Sequence, residues 1–415
     1  MQLVQKIRPR LPQAVNLYIT YRCRSRCAHC FLVQSDLLNR HELSKETAFS
    51  IIDQLSEQRV YLLIISGGEP LLHPHFFDIV TYADQKNMLP LVAITGTRVS
   101  DDEVSKYAAA GIPTIQMSLD GATAESNDTI RGPGNFDDVM SSIRRFQAVG
   151  VKVNLAICLH RDNWVDLPRF LTLCREVGIF RVKLAFYRAF ESSATLRALT
   201  QSEIERALTE ARDFIDSHGL ERDWIASPTI DLWTGQKILP RAGMPPLTIG
   251  ADGVLAAGDG GALIGKLGAV SIAEQYATYV DQKLQHFYEK VLWDACAEYG
   301  VAEVVESDSL DANALIFRRD AEYIAYIENG LPRPIKFFSL MHEIGHIATD
   351  TLHASPRASH LDERERAANL WALNRIRAYL KPDSYAHYEQ LTTHSEAMLY
   401  QALAERLEND LTGYY

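Results

Sequence analysis

NLYITYRCRSRCAHC (16–30) begins with five residues of strand character and runs directly into three cysteines, Cys23, Cys27 and Cys30. The chain has six cysteines in all, and the other three (Cys158, Cys174 and Cys296) are scattered, so the crowding at 23–30 points to metal binding rather than to a disulfide framework. Three thiolates can hold three irons of a cubane cluster and leave the fourth iron open to an outside ligand. An open iron is a reaction site, whereas fully ligated four-cysteine clusters mainly carry electrons. A structural zinc would need a fourth ligand, and no second cysteine pair lies at finger-like spacing.

Outward from this loop, apolar β-type runs alternate with amphipathic stretches. NLYIT (16–20), VYLLIIS (60–66), PLVAIT (90–95), TIQMSL (114–119), VKVNLAIC (151–158) and RVKLAF (181–186) read as strands, with helical patterns at 44–58, 75–86, 101–110, 135–149 and 163–177 between them. Continuously apolar strands spaced by helices require a parallel sheet covered by those helices. Right-handed crossovers wind six such units into a partial (β/α)6 TIM-like barrel, an α/β fold whose working residues sit at the C-terminal strand ends. Helical patterns follow at 201–218 and 272–299, on either side of a Gly- and Pro-rich stretch from Pro228 to Gly268.

The second strand ends in Ser66-Gly67-Gly68-Glu69-Pro70, one β/α unit after the cysteines and on the same rim. Paired glycines allow a close backbone approach, and free backbone polar groups there can bind an amino-acid head group. The CxxxCxxC loop and the GGEP strand, in this order and at these strands, resemble the radical S-adenosylmethionine (SAM) superfamily. The resemblance implies that Cys23, Cys27 and Cys30 ligate a [4Fe–4S] cluster. SAM then chelates the open iron, and Gly67, Gly68 and Glu69 contact its methionyl amine. An electron entering the cluster cleaves SAM to methionine and a 5′-deoxyadenosyl radical that takes a substrate hydrogen.

The fourth strand ends in Ser118-Leu119-Asp120-Gly121, followed by Asn127-Asp128-Thr129-Ile130-Arg131-Gly132. This segment is similar to one in peptide-modifying radical SAM enzymes. By that likeness Ser118 and Asp120 hold the SAM ribose and Arg131 helps hold its carboxylate side. The stretch from Leu247 to Leu267 resembles the hairpin of SPASM or twitch extensions, where a cysteine after the "DG.V" turn holds an auxiliary cluster. Here Ala256 and Ala257 occupy that position, so one cluster is expected. Tyr187 and Arg188, just beyond strand six, are candidates for the barrel mouth.

A second motif, His342-Glu343-Ile344-Gly345-His346, lies near the C-terminus. On a helix the two histidines are one turn apart and can share an ion, with Glu343 beside it to take a proton from an activated water. A catalytic zinc needs a third protein ligand, and Glu365 or Glu363 on the next helical stretch can supply it. Strand-like YIAYIEN (323–329), FFSLMHEIGH and then ERAANLWA (365–372) resemble the ImmA/IrrE-type metallopeptidases over about residues 300–380. By this likeness Glu365 is the favoured third ligand of a Zn2+ ion, but Ala367 stands where the family pattern carries an acidic residue, which keeps Glu363 an alternative. The expected organisation is a radical SAM partial barrel (1–225), a twitch-like extension (226–271) and an α+β, mainly helical, zincin-like domain (272–415).

Composition narrows the function classes. A formal charge of −11 argues against a general nucleic-acid binder, and no run of apolar residues reaches the roughly 18–20 needed to span a membrane. The opening MQLVQKIRPRLPQ lacks a signal-peptide core, which places the protein in the cytoplasm. Within this acidic chain Arg22, Arg24 and Arg26 surround the cysteines, a basic collar suited to an acidic electron donor such as a flavodoxin or ferredoxin. A radical site joined to a peptidase site suggests a ribosomally made peptide that is modified and then cut. Radical chemistry on a small metabolite or nucleoside, with a purely structural C-terminal domain, is the second reading. A redox- or iron-sensing regulator is the third.

Overall fold

Alternation along the strands and 3.6-residue periodicity along the helices build the first unit. In the computed structural model, which describes residues 11–188, 196–227, 232–233, 246–258, 261–307, 310, 313–329, 331, 333–350 and 361–377, the described residues fall into two compact units divided at Ala277/Thr278. The first ten residues of the opening segment and residues 378–415 of the expected third domain lie outside the described residues.

The first unit runs β1 (Ala14–Thr20), α1 (Phe31–Gln34), α2 (Lys45–Glu57), β2 (Leu62–Gly67), α3 (Phe76–Gln85), β3 (Leu89–Ala93), α4 (Asp101–Ala109) and β4 (Thr114–Ser118). It continues with α5 (Ala124–Arg131), α6 (Asn135–Ala148), β5 (Lys152–Leu159), α7 (Leu167–Glu176), β6 (Arg181–Phe186), α8 (Gln201–His218) and β7 (Ile225–Ala226). A three-strand addition follows: β8 (Leu247–Ile249), β9 (Val254–Ala257) and β10 (Leu263–Lys266). From β1 to β7 each strand pairs in parallel with the next and the order never reverses. Right-handed crossovers therefore put the connecting helices on one face of the sheet, the arrangement of a partial α/β barrel.

The helix-facing positions, among them Leu17, Leu63, Ile65, Ile115, Met117, Leu155, Ile157 and Leu184, are almost wholly buried. Alternate positions on the other face are half-buried and largely polar: Asn16, Ser66, Gln116, Ser118, Asn154, Cys158 and Lys183. α2 shows how the outer layer forms: Ser44 accepts the Thr47 N–H as N-cap, and Ala48, Ile51, Ile52 and Leu55 make the buried stripe. Capping boxes start α4 (Ser100 with Glu103) and α8 (Thr200 with Glu203). α5 falls in a stretch not expected to be helical, because AESNDTIR has few apolar residues and buries Asn127 and Arg131 beside Ile130. It is held by polar bonds instead, with Thr123 and Ser126 capping each other and Asn127 bonded to Asn135 at 2.8 Å.

The addition at 247–266 continues the main sheet rather than standing apart. β8 pairs in parallel with β1, β9 and β10 follow antiparallel, and the sheet order is β10-β9-β8-β1-β2-β3-β4-β5-β6-β7. Its turn closes on the cysteine loop, where Tyr21 donates from its hydroxyl to Asp252 Oδ1 (3.1 Å) and Ala251 packs with Tyr18, Tyr21 and Leu32.

The second unit takes in most of α9 (Ile272–Tyr299), then β11 (Val301–Ser307), β12 (Ala314–Arg319), β13 (Glu322–Glu328), α10 (Arg333–Ala348) and α11 (Leu361–Arg377). β13 is the central strand, parallel to β11 and antiparallel to β12. Its Ile324, Ala325 and Ile327 are buried, as are Phe337, Phe338, Met341 and Ile344 of α10 and Ala368 and Ala372 of α11. No helix among the described residues is long and apolar enough to cross a membrane.

Gly67 tests how closely the cysteine loop and β2 must approach. Its φ is +134°, and a Cβ there would lie 2.2 Å from the Thr20 carbonyl oxygen. Gly67→Ala should therefore destabilise the barrel by about 2–3 kcal/mol, read as a lower midpoint in denaturant unfolding.

Candidate active site and metal centre

β1 delivers the cysteine loop to the C-terminal rim of the barrel, and the end of β2 holds it there. The Gly68 N–H donates to Thr20 O (2.8 Å) and the Glu69 N–H donates to Arg22 O (2.7 Å). A Cβ at Gly68 would sit 2.3 Å from the Arg22 oxygen, so the paired glycines serve the approach of the loop backbone itself. Cys30 starts α1, its carbonyl accepting from Val33 and Gln34, and the Cys23 N–H donates to Asn39 Oδ1 (2.9 Å). The loop also reaches across the mouth: the Ala28 N–H donates to Ile130 O (2.9 Å), and Gln34 Nε2 donates to the Tyr187 hydroxyl (3.3 Å). Tyr187 is thus buried as a brace for the loop, while Arg188 is exposed.

Cys27 is buried, and Cys23 and Cys30 are half-buried. Burial pushes the Cys23 thiol up to about 12 and raises Cys27 as well, the Arg131 guanidinium opposing the shift at Cys27. Were metal to bind these thiols, their protons would be released. Three thiols on one short loop, with a buried guanidinium 3.9 Å from Cys27 Sγ, fit a negatively charged cluster bound by three thiolates.

The residues expected to hold SAM share this rim but differ in what their side chains are free to do. Ser118 ends β4 half-buried. The Glu69 side chain is 5% exposed and turns to the next strand end, accepting from Thr95 N (2.8 Å), Thr95 Oγ1 (2.5 Å) and Leu71 N (3.3 Å). Burial raises its pKa, and these bonds oppose the rise. Its carboxylate ties the end of β2 to the end of β3.

Asp120 is fully buried. One carboxylate oxygen accepts the Cys158 N–H (2.8 Å), and the other lies 2.7 Å from Arg131 Nε and 3.5 Å from His29 Nδ1. Burial alone would raise its pKa, but Arg131, His29 and the Cys158 N–H outweigh burial and hold it below the usual carboxylate range. Burial lowers His29 to about 4, so its imidazole is neutral at pH 7. Asn127 and Asn163 fix the Asp120 backbone, through Asn127 Oδ1 accepting from Asp120 N (2.9 Å) and Asn163 Nδ2 donating to Asp120 O (3.1 Å).

In the second unit α10 presents His342 and His346 on one face, buried, with Glu343 half-buried beside them. Their Nε2 atoms lie 3.1 Å apart, and Glu365 Oε2 of α11 is 3.0 Å from His342 Nε2 and 3.6 Å from His346 Nε2. Tetrahedral zinc with bonds of about 2.0–2.1 Å separates its ligands by roughly 3.3 Å, so the three donors fit one ion. The His342 Nδ1–H donates to Asn369 Oδ1 (2.9 Å), which turns the Nε2 lone pair toward the centre of the triad. Contact with the His342 imidazole, helped by His346 and Arg364, lowers the Glu365 pKa, and burial opposes that shift. The Glu363 side chain lies outside the described residues.

Gly345 makes this crossing possible. A Cβ there would meet the Ala368 carbonyl oxygen at 2.6 Å, so only glycine lets α11 come near enough to bring Glu365 to the histidines. In the sequence Gly345 reads as a spacer within HExxH, Asp252 reads only as part of the "DG.V" turn, and Thr95 and Asn163 carry no local signal at all. Asn369 is legible only as part of the E..AN..A pattern.

Residues 17–174 match the family model described as the radical SAM superfamily. Mycofactocin maturase MftC of Mycobacterium tuberculosis (strain CDC 1551 / Oshkosh) is 34% identical over 168 residues, covering 40% of this chain and 43% of that protein. Fe-coproporphyrin III synthase of Methanosarcina barkeri (strain Fusaro / DSM 804) is 29% identical over 199 residues, covering 48% of each. This chain thus spans less than half the length of these curated relatives. Streptococcus suis SuiB, in its crystal structure with the precursor peptide SuiA, superposes with a TM-score of 0.56 at 16% identity, covering 64% of this chain and 65% of that one, a likeness of fold. With the cysteine loop and the GGEP strand end on one rim, residues 17–174 form a radical SAM domain.

Proposed function

We propose that this chain is a radical SAM enzyme acting on a ribosomally made peptide, and that its C-terminal unit holds a zinc ion serving peptide-bond hydrolysis. The observation that carries the radical assignment is the cysteine loop bonded through Thr20 and Arg22 to the Gly67–Glu69 strand end. Cys23, Cys27 and Cys30 hold a [4Fe–4S] cluster, with the backbone of Gly67, Gly68 and Glu69 and the Ser118 hydroxyl toward SAM. When bound and reduced, this pair supplies a 5′-deoxyadenosyl radical that takes a hydrogen atom from the substrate. The chain's part is positional. The bonds to β2, Asn39 and Asp252 fix the loop, and the half-buried polar face of the sheet is the surface it offers to a substrate. Arg22, Arg24 and Arg26 are exposed around the loop and suit an acidic flavodoxin- or ferredoxin-type donor. Free cysteines throughout the chain suit a reducing, cytoplasmic setting.

A peptide substrate is supported by the identity with mycofactocin maturase and by the fold shared with SuiB, which was crystallised with a precursor peptide. It is supported further by the second site. His342, His346 and Glu365 would hold zinc, which supplies an activated water for amide hydrolysis. The Glu343 carboxylate, next to His342 on the same helix, would accept the proton from that water. The identity with Fe-coproporphyrin III synthase favours a second reading, radical chemistry on a small molecule with the C-terminal unit purely structural.

Anaerobically reconstituted protein, given a reductant and SAM, should form 5′-deoxyadenosine, and Cys27→Ala should abolish it. With the peptide encoded beside its gene it should give a mass change and a new cleavage; intact, unmodified peptide under turnover would exclude the peptide reading. Glu343→Gln should cut cleavage by about 10²–10⁴-fold while 5′-deoxyadenosine formation is unchanged. In the small-molecule reading the same variant leaves all product formation untouched. The protein should bind one zinc by titration, Glu365→Gln should lose it, and Gly345→Ala should weaken it by about 10–100-fold, the scale of a disturbed supporting shell.

A further inference from the structure

Arg131 and Asp120 form an ion pair of very low exposure placed directly behind the cysteine loop. Arg131 is 8% exposed and Asp120 0%, with Nε and Oδ2 2.7 Å apart. The guanidinium does not end at the carboxylate: Nη1 points to Cys27 Sγ at 3.9 Å. The neighbouring residue of α5 holds the loop as well, since Ile130 O accepts the Ala28 N–H. The Asp120 carboxylate is fully buried: Oδ1 accepts the Cys158 N–H, Oδ2 faces the Arg131 guanidinium, and Asn127 and Asn163 fix the backbone that carries it. A carboxylate so placed holds a guanidinium in one orientation.

We infer that the Asp120–Arg131 pair sets the reduction potential of the iron–sulfur cluster, with Arg131 as a cation hydrogen-bonded to the Cys27 thiolate and Asp120 as its positioning residue. The inference rests on the cluster reading given above. The physical reason is the order of charges: thiolate, guanidinium, carboxylate. The nearer positive charge favours the reduced, more negative cluster, and the hydrogen bond withdraws electron density from sulfur. Removing Arg131 leaves a buried carboxylate facing the cluster alone and disfavours reduction. Removing the charge of Asp120 leaves the guanidinium uncompensated and favours it.

The sign of each effect makes the test. Midpoint potentials of the full-length, anaerobically reconstituted protein would be measured without SAM by EPR-monitored redox titration, after iron content and absorbance show the wild type to carry a cubane. Absence of a cubane there sinks the cluster reading itself rather than this inference. Arg131→Gln should move the midpoint to more negative potential, Asp120→Asn to more positive potential, and the double variant should fall between them. Arg131→Lys, which keeps the charge but not the fork, should lie between wild type and Arg131→Gln. If Arg131→Gln fails to retain its cluster, the positive shift in Asp120→Asn decides alone. Unchanged midpoints with weakened SAM binding in Arg131→Gln would mean that Arg131 is a SAM ligand only. Shifts of both single variants in the same direction would mean loosened packing around the cluster. Either result overturns the inference.

Discussion

Backbone contact between the cysteine loop and the end of β2 is the constraint on which the first unit's chemistry depends. The loop carries three thiols but no regular structure of its own beyond the single turn of α1, and a loop of that kind cannot by itself hold three sulfur atoms in register. Two N–H groups of the second strand end, donated to Thr20 and Arg22, convert it into an extension of the sheet. Any side chain at Gly67 or Gly68 would separate the two backbones, because a Cβ would lie within 2.2–2.3 Å of a carbonyl oxygen. The braces from Asn39, Asp252, Ile130 and Tyr187 then fix the loop from its other sides.

The second unit solves its problem in the same way with different elements. Two histidines one turn apart need a third donor from another helix, and Gly345 allows α11 to lie against α10 at Ala368. Glu365 then stands 3.0 Å from one imidazole and 3.6 Å from the other, with Asn369 one turn along the same helix orienting His342. In both units a glycine without a Cβ sets the spacing, and the residues that carry the chemistry take their places from it. Buried charge around the cysteine loop is met within the fold, Asp120 by Arg131 and Glu69 by Thr95.

Much of the barrel was legible from residues 14–186, because apolar strands separated by amphipathic helices leave few alternatives to a one-sided parallel sheet. The elements that escaped were those held by side-chain bonds rather than by an apolar stripe. α5 is the clearest case: its Thr123–Ser126 cap and the Asn127–Asn135 bond do what hydrophobic periodicity does elsewhere. Motif spacing likewise indicated which residues gather at the rim, but not which way they turn. Asp120, aligned with a ribose contact, points into the protein toward Arg131, and the Glu69 carboxylate points to Thr95. A pattern records the positions of residues along the chain, and the direction of a buried side chain depends on partners in other elements, as with Glu69 and Thr95, 26 positions apart.

From the sequence by itself came the radical SAM motifs, the parallel α/β architecture and the pairing of His342 with His346, because each rests on short-range spacing that strand and helix geometry translate directly into space. Only the tertiary structure decided that residues 247–266 extend the main sheet beside β1, that Arg131 reaches Cys27, and that Gly345 seats α11 against α10. Those outcomes depend on contacts between distant segments, which excluded volume, buried charge and the absence of a Cβ select together and which no local pattern encodes.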